Sequence, residues 1–301
     1  MNQDKKHKTK NLIKSMRLRT LPLSLAGVVC GGVLAMKTHS NNLLVFVLML
    51  LTACLLQVLS NLSNEMGDYR NGVDGEKRNG PMYSLASDGL NEKQLWKAIN
   101  YTVIACSISG LAMLLVSYRF CVLNYQFPLM LFLGIAAIWA ATHYTLGKKP
   151  YGYIGLGDIF VFLFFGLLSV LGSYFVITHT IVFEPFVVLP AIGLGLLSVA
   201  VLNVNNVRDM ESDKDFRKTV PLRIGRSNAL IYQTALVAIG VSCFLWNKQS
   251  VVYCSITLPF FLLHIIGVWR LKGKSLDPML PLLVMSTFFL VLIYCINWYI
   301  K

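Results

Sequence analysis

The sequence predicts an all-α integral membrane protein with nine transmembrane helices, its N-terminus in the cytoplasm and its C-terminus outside. Three observations lead to this fold class: an apolar composition, apolar runs of membrane length and an uneven distribution of positive charge. Of the 301 residues, 55% are hydrophobic and only 14% are charged, whereas about a quarter of the residues of a soluble domain are charged. The chain is too poor in charge for a soluble protein of this length.

Nine mostly apolar runs are candidates to cross a bilayer, which takes roughly 18 or more residues. In chain order they are residues 21–36, 42–62, 96–118, 126–146, 156–178, 185–204, 229–246, 251–269 and 278–298. The first run is short and has Pro22 near its start, where a helix tolerates proline. A cleaved signal peptide is the alternative interpretation of the N-terminus; the lack of a small-residue cleavage site disfavours it.

Positive charge is concentrated on one side of this arrangement. Nine spans put alternate connections on opposite sides, and 23 of the 27 Lys and Arg residues fall on the side of the N-terminus. Because cytoplasmic loops carry the excess of Lys and Arg, this side is predicted to be the cytoplasm. Of the 14 Asp and Glu residues, only Glu184 falls on the outer side. Acids contribute little to topology, so their distribution indicates a function at the cytoplasmic face.

We expect residues 1–301 to form one transmembrane domain with a basic cytoplasmic arm at residues 1–19. The net charge of +13 would suggest nucleic acid for a soluble protein. Here the charge flanks apolar spans, so the predicted partner is the lipid bilayer and not nucleic acid. The seven cysteines are dispersed without metal-ligand or redox spacing and are expected to be packing residues.

The second span ends in a cluster of amides and acids, residues 61–74, NLSNEMGDYRNGVD. Asn61, Asn64, Glu65 and Asp68 share one face of a helix, and Asp74 follows in a loop. A solvated helix end is the simplest explanation of such a cluster if it stands alone.

A similar cluster ends the sixth span, residues 203–215, NVNNVRDMESDKD. Asn205, Asp209 and Asp213 recur at every fourth position, again one helix face. Both clusters contain N-x-x-x-D at the cytoplasmic end of a span, which resembles an internal duplication of the motif. Two such clusters at one membrane surface indicate a divided site that needs a compensating cation.

The chemistry of the two clusters indicates a diphosphate on a lipid tail. All-oxygen ligands favour a hard divalent ion, and Mg²⁺ typically uses one or two carboxylates with substrate phosphates. Basic residues interleaved with the acids can hold phosphate oxygens. Metal ions and cations neutralise the charge that develops on a leaving diphosphate, so that an allylic prenyl diphosphate can ionise.

The carbocation formed in this way must be shielded from water and can be stabilised by aromatic faces. Aromatic residues are frequent in and after the fourth and fifth spans. The candidates are Trp139, Tyr144, Tyr151, Tyr153, Phe160, Phe162, Phe164 and Phe165. When each of them is taken alone, packing or an interfacial position is the simpler explanation.

These segments closely resemble the UbiA superfamily of intramembrane prenyltransferases. NEMGD with Asp74 and NNVRDMESD match its two aspartate-rich motifs, and YTLGK, Tyr144 to Lys148, matches its Y-x-x-x-K motif. RLRTLPLS (17–24), GKKPYGYIGLGDIFVFLFFG (147–166) and LNVNNVRDMESDKDFRKTVPLRIG (202–225) resemble the members that act on 1,4-dihydroxy-2-naphthoate in menaquinone biosynthesis. The matches extend over most of the chain in the expected order.

The resemblance implies helices around a central cavity, a cytoplasmic cap of motif-bearing loops and a place in the bacterial cytoplasmic (inner) membrane with the active-site loops facing the cytoplasm. It implies transfer of a polyprenyl group from a prenyl diphosphate to the naphthoate, with loss of carbon dioxide and diphosphate, to give demethylmenaquinol. The implied ligands of Mg²⁺ are Asn64, Asp68, Asp74, Asn205, Asp209 and Asp213.

The remaining site residues also follow from the resemblance. The implied diphosphate contacts are Arg208, Lys148, Lys218 and Arg223. Asp68, Asp209, Tyr144 and Lys148 are the expected catalytic residues, with Tyr144 approaching the reacting centre. The candidate substrate contacts are Asn61, Asn206, Arg78 and Lys149. No general base is assigned, because two ring hydroxyls make the acceptor electron-rich.

Three departures from the family pattern and two alternative functions accompany this prediction. The RNGP loop, residues 78–81, differs in detail from that of the family. Glu65 stands where Asp is commoner, and Arg217 replaces a usual glycine, where it either adds an anion contact or reshapes the turn. A related enzyme could use another acceptor such as 4-hydroxybenzoate, which KKPYGYIGLGD disfavours. A lipid carrier or transporter would concentrate its charges at the bilayer midplane, whereas here the acids collect at one face.

Overall fold

Every regular element in the described part of the protein is helical. The structure is a computed structural model that describes residues 2–38, 42–73, 85, 89–121 and 125–300, with side chains from residue 8 onward. The longer helices are α1 (Asn2–Ser15), α2 (Leu21–Thr38), α3 (Leu43–Arg70), α4 (Glu92–Ser117), α5 (Gln126–His143), α6 (Gly157–Val161), α7 (Ser173–Thr178), α8 (Pro185–Arg208), α9 (Met210–Asp213), α10 (Val220–Ser242), α11 (Lys248–Cys254), α12 (Leu258–Arg270) and α13 (Met279–Ile300). The all-α fold class is confirmed.

Each of the nine predicted spans falls on helical structure. The fifth span is one rod in which the π-helical stretch Phe162–Gly172, here the π segment, joins α6 to α7. Among the described residues, eight helical stretches are long and apolar enough to cross a membrane. The seventh predicted span lies in α10, which does not meet these criteria and which bends at Gly225, φ 77° and ψ 160°. The count of nine crossings stays a prediction.

Helix α3 is longer than its apolar run, and this carries the first acidic cluster beyond the apolar part of the helix. Its 28 residues correspond to about 42 Å, against about 30 Å of hydrocarbon in a bilayer. Asn42 caps its N-terminus by accepting a hydrogen bond from the Val45 N–H, 3.3 Å. The helix is unbroken to Arg70, so Asn61, Asn64 and Asp68 project from one helical face as predicted.

The interior is built mainly by α2, the π segment, α8, α10 and α13, which share the largest apolar cluster. The π segment and α8 cross at two glycines: a Cβ on Gly166 would lie 2.5 Å from the Gly195 Cα. Two smaller apolar clusters lie beside the acidic ends, one around Leu62 and Met66 on α3 and one around Val204 and Val207 on α8. Each acidic motif is therefore anchored on apolar packing of its own.

Large apolar side chains cover much of the outer surface of the helices. Leu44 on α3, Ile108 on α4, Phe132 on α5 and Ile231 on α10 are all more than half exposed. Water would make such a surface costly, whereas lipid tails make it favourable. Together with the apolar helices, this surface makes the protein a multi-pass membrane protein.

Candidate active site

A cavity of about 400 Å³ lies between α2, α3, α5, the π segment and α8. One end of it is polar and is lined by Asn64, Asp68, Asn205, Asp209 and Asp213. The rest is largely apolar, with aromatic and aliphatic side chains of α5 and the π segment. The structure therefore brings the two acidic motifs, separated by more than a hundred residues, to one end of one apolar cavity.

The first motif is held against the turn that follows α5. Thr145 donates a hydrogen bond from Oγ1 to the Ser63 carbonyl, 3.0 Å, and another to the Asn64 side-chain oxygen, 3.2 Å. This approach explains the glycine in NEMGD, since a Cβ on Gly67 would lie 2.5 Å from both the carbonyl oxygen and Oγ1 of Thr145. Asn64 and Asp68 are thus fixed by a contact that only glycine permits at position 67.

Within the described part of the chain, Asp68 has two polar partners from outside its own helix. Its Oδ1 accepts a hydrogen bond of 2.8 Å from the Tyr153 hydroxyl and another from the Arg217 guanidinium. Burial raises the pKa of the Tyr153 hydroxyl, and the charge of Asp68 adds to the rise, so this hydroxyl remains a donor. Neither Tyr153 nor Arg217 was assigned to the site by motif.

The second motif bends at Asp209, so the prediction of one helical face through Asn205, Asp209 and Asp213 is wrong in this respect. Helix α8 ends at Arg208, and Asp209 has φ −96° and ψ 8°. The N–H groups of Ser212 and Asp213 fold back onto the Asp209 carbonyl, 3.0 and 2.9 Å, and form the separate turn α9. Asn205, Asp209 and Asp213 nevertheless all line the cavity.

Arg208 is buried and binds two other residues of its own motif. Its guanidinium donates hydrogen bonds to both carboxylate oxygens of Asp209, at 2.9 and 2.6 Å, and to the side-chain oxygen of Asn205, at 2.7 Å. A further bond of 2.9 Å reaches Asp277, before α13. Such a bidentate pair fixes the orientation of the carboxylate. Arg208 is not among the residues that line the cavity, so its predicted contact with diphosphate stays a prediction.

Arg217 connects the two motifs. Besides Asp68 it approaches Asp213, with 3.9 Å between Nη1 and Oδ2, and its guanidinium lies 4.8 Å from the centre of the Tyr153 ring. Burial alone would lower the pKa of Arg217, but the carboxylates of Asp68 and Asp213 outweigh it and raise the pKa above the ordinary value. The spacing of Asp213 and Arg217, i to i+4, is the one sequence signal for this pairing.

The predicted lysines lie on a different surface. Lys148, Lys149 and Lys218 are exposed and line a second pocket of about 350 Å³, which shares Arg217 with the main cavity. Arg223 donates a hydrogen bond of 2.7 Å to the Ile154 carbonyl and so braces the loop before α6. Asp74 and Arg78 lie outside the described residues. The roles given to these residues stay predictions.

Tyr144 begins an aromatic wall on the cavity. Its ring meets Tyr151 edge to face at 5.3 Å, and Tyr151 stacks on Phe160 at 4.1 Å. Phe164 continues the stack at 6.1 Å from Phe160. The wall offers several ring faces to a cation in the cavity.

The two predicted amide contacts differ in their surroundings. Asn61 lines the cavity, but its amide donates to the Met16 carbonyl at 2.9 Å and to Thr20 Oγ1 at 3.0 Å, which ties α3 to the start of α2. Asn206 is 5% exposed and also lines the cavity. Arg17, at the other side of the Asn61 network, contributes a second arginine to the lining.

The fold and the site together define an intramembrane protein that has an apolar cavity with carboxylate and amide side chains at its polar end. Residues 24–293 match the UbiA prenyltransferase family. The chain belongs to this family.

Curated relatives cover most of the chain. It is 41% identical over 252 residues to a 1,4-dihydroxy-2-naphthoate octaprenyltransferase of Escherichia coli (strain K12), which covers 83% of this chain and 80% of the relative. It is 37% identical over 297 residues to the protein of the same name from Haemophilus influenzae, with 94% of each chain covered.

Solved structures share the fold. The apo UbiA homolog from Aeropyrum pernix K1 superposes with a TM-score of 0.68 at 15% identity and covers 93% of this chain and 97% of its own. The UbiA homolog from Archaeoglobus fulgidus, solved with DMAPP and Mg²⁺, gives a TM-score of 0.64 at 17% identity, with 95% and 98% covered. At these identities the likeness supports the arrangement of helices and says nothing further about the site.

Proposed function

We propose that this protein transfers a polyprenyl group from a prenyl diphosphate to 1,4-dihydroxy-2-naphthoate and so forms demethylmenaquinol in menaquinone biosynthesis. The observation that carries the proposal is the single cavity with the carboxylates of both motifs at one end and an apolar, aromatic interior at the other. A prenyl diphosphate is likewise charged at one end and apolar along the rest of its length. The naphthoate acceptor is supported by the names of the relatives that cover most of this chain.

The residues at the polar end fit a divalent cation. Asp68, Asp209 and Asp213 provide carboxylate oxygens and Asn64 and Asn205 provide amide oxygens, the donor set that Mg²⁺ prefers. The guanidinium between Asp68 and Asp213 is a stand-in cation, which marks this position as one that positive charge occupies. When bound, Mg²⁺ would neutralise the charge that develops on the departing diphosphate.

Two of these carboxylates also have arginine partners. Among the described residues, no three carboxylate, imidazole or thiol groups converge as metal ligands. Asp209 is turned toward Arg208 and Asp68 toward Arg217. A bound metal ion would therefore share these carboxylates with their arginine partners or take the place of one of them.

The cavity walls hold the lipid tail and exclude water from the reacting carbon. The bond between the first prenyl carbon and the diphosphate oxygen breaks, and its electron pair leaves with diphosphate. The ring faces of Tyr144, Tyr151 and Phe160 stand where they can stabilise an allylic cation. The electron-rich ring carbon that bears the carboxylate attacks the cation, and loss of carbon dioxide returns an electron pair to the ring. This balance requires no general base from the protein.

Charge distribution supports the orientation. The side predicted to carry 23 of the 27 Lys and Arg residues is also the side of both acidic motifs. We therefore propose that the polar end of the cavity faces the cytoplasm, in the cytoplasmic membrane of a bacterium, where a diphosphate substrate and a water-soluble naphthoate are accessible.

Mass spectrometry of the product tests the acceptor. Purified protein in lipid, supplied with Mg²⁺ and octaprenyl diphosphate, is expected to prenylate 1,4-dihydroxy-2-naphthoate with loss of carbon dioxide and to leave 4-hydroxybenzoate unchanged. Prenylated 4-hydroxybenzoate alone would identify the wrong acceptor. Release of diphosphate with neither acceptor modified would contradict the transfer itself. Asp68→Ala and Asp209→Ala are expected to lose turnover at saturating Mg²⁺.

A further inference from the structure

Arg217 lies at the boundary between the cavity and the second, lysine-lined pocket, on the loop between α9 and α10. It contributes to the lining of both. Its side chain is 10% exposed, which is low for a residue in a loop at the end of a membrane helix. This position gives one guanidinium access to both acidic motifs.

The contacts of Arg217 hold it in place from three directions. The guanidinium pairs with Asp68 of the first motif and approaches Asp213 of the second, 3.9 Å. The Tyr153 ring lies under it at 4.8 Å, and the Tyr153 hydroxyl donates to the same Asp68 oxygen at 2.8 Å. Side chains of three separate segments therefore cooperate to keep one positive charge between the motifs.

The same carboxylates are the ligands proposed for Mg²⁺, and this creates a competition. A carboxylate oxygen that accepts the guanidinium cannot also bind a metal ion at the same lone pair, and two cations at this distance repel each other. A divalent ion that arrives alone therefore competes with Arg217 for the negative charge of these carboxylates and offers the guanidinium no new partner. A divalent ion that arrives with diphosphate brings oxygens to which a released guanidinium can bind bidentately.

We infer that Arg217 is an internal counter-ion of the two acidic motifs, which disfavours binding of a divalent cation alone and favours its binding together with a diphosphate. This inference rests on the proposed function of the site and assigns a positioning role to a residue outside both motifs. It predicts that loss of Arg217 changes two affinities in opposite directions. The binding of Mg²⁺ alone becomes stronger, and the binding of Mg²⁺–diphosphate becomes weaker.

Calorimetric titration of the purified protein with Mg²⁺ alone and with Mg²⁺–inorganic diphosphate tests this inference. In Arg217→Gln, the Kd for Mg²⁺ alone is expected to fall about tenfold and the Kd for Mg²⁺–diphosphate to rise about tenfold, each about 1.4 kcal/mol. Arg270→Gln is the matched control, because it makes the same substitution at an exposed position outside both acidic motifs and both pockets. Both of its Kd values are expected to stay within about threefold of wild type.

A second variant and a second measurement distinguish the loss of the counter-ion from misfolding of Arg217→Gln. Arg217→Lys keeps the charge and is expected to bind Mg²⁺ alone nearly as weakly as wild type. Without metal, Arg217→Gln is expected to unfold at a lower temperature than wild type, and Mg²⁺ is expected to raise its Tm more than that of wild type.

Two results would overturn the inference while leaving the proposed function intact: an unchanged Mg²⁺ affinity in Arg217→Gln, or a change of both affinities in the same direction. A wild-type protein that fails to bind Mg²⁺–diphosphate at all would instead contradict the proposed function.

Discussion

Replacing Arg208 with glutamine is expected to lower the free energy of unfolding by about 3–5 kcal/mol, the cost of removing one partner of a buried ion pair. The side chain of Arg208 is 2% exposed and that of Asp209 is 8% exposed, so the pair is almost entirely screened from water. Without the guanidinium, Asp209 loses two hydrogen bonds, of 2.9 and 2.6 Å, and retains a buried negative charge. That uncompensated charge is the main source of the expected loss.

Two further variants separate this pair from the rest of the Arg208 network. Asp277 also binds Arg208, but its side chain is 31% exposed, so Asp277→Asn is expected to cost less than about 1 kcal/mol. The double variant Arg208→Gln/Asp209→Asn removes both charges of the buried pair. It is expected to be more stable than Arg208→Gln alone, because no buried charge is left unpaired.

Tryptophan fluorescence during thermal unfolding in detergent measures these differences. A loss of 3–5 kcal/mol corresponds to a decrease in Tm on the order of 10 °C for a chain of this size. If the Tm of Arg208→Gln lay within about 2 °C of the Tm of Asp277→Asn, the buried Arg208–Asp209 pair would stabilise the protein much less than its burial and hydrogen bonds indicate.

Three further predictions follow from single contacts. Gly67→Ala puts a Cβ 2.5 Å from Thr145 and is expected to cost about 1–3 kcal/mol in thermal unfolding, whereas Gly134→Ala, with open space around its Cβ, is expected to cost nothing. Tyr153→Phe removes the hydrogen bond to the Asp68 carboxylate and is expected to cost about 1.5–3 kcal/mol. Tyr151→Phe removes a hydrogen bond of 2.7 Å to the neutral Ala140 carbonyl and is expected to cost about 0.5–1.5 kcal/mol. Equal Tm changes in the two variants would contradict the stronger bond expected at Tyr153. Removal of divalent ions with EDTA is expected to abolish turnover and added Mg²⁺ to restore it, so turnover that persists in EDTA would contradict the metal assignment.

The membrane-length helices were predictable because each contains a local apolar run, whereas the polar helix α1 was not predicted. The starts of α5 and α8 agree with the sequence prediction at Gln126 and Pro185, and for α8 the charge of Glu184 and the proline that follows mark the boundary. The apolar run alone ends at Leu62, but the helical spacing of the amides and acids predicted that α3 continues to Asp68, and Thr145 contacts this part of the helix at Ser63 and Asn64. The π segment left no signal in the periodicity, since residues on all sides of it are apolar.

The residues of the site were predictable only where they belong to a local sequence motif. Asp68 and Asp209 were found because amides and acids at helical spacing are unusual beside an apolar span. Asp277 was not found, because 69 residues separate it from Arg208 and nothing local marks the contact. Arg217 was noticed as a departure from a family pattern, but its partner Asp68 lies 149 residues away. Contacts across the bundle thus decide which arginine faces which carboxylate.

The central claim is that Asp68 and Asp209, from separate motifs, hold one diphosphate through Mg²⁺. Titration of Mg²⁺–inorganic diphosphate into wild type, Asp68→Asn and Asp209→Asn tests it most directly, since asparagine keeps the shape of each side chain and removes its charge. The wild type is expected to bind one diphosphate only when Mg²⁺ is present, and each variant to bind at least about tenfold more weakly. Wild-type affinity in either variant would contradict the claim that the two motifs form a single site.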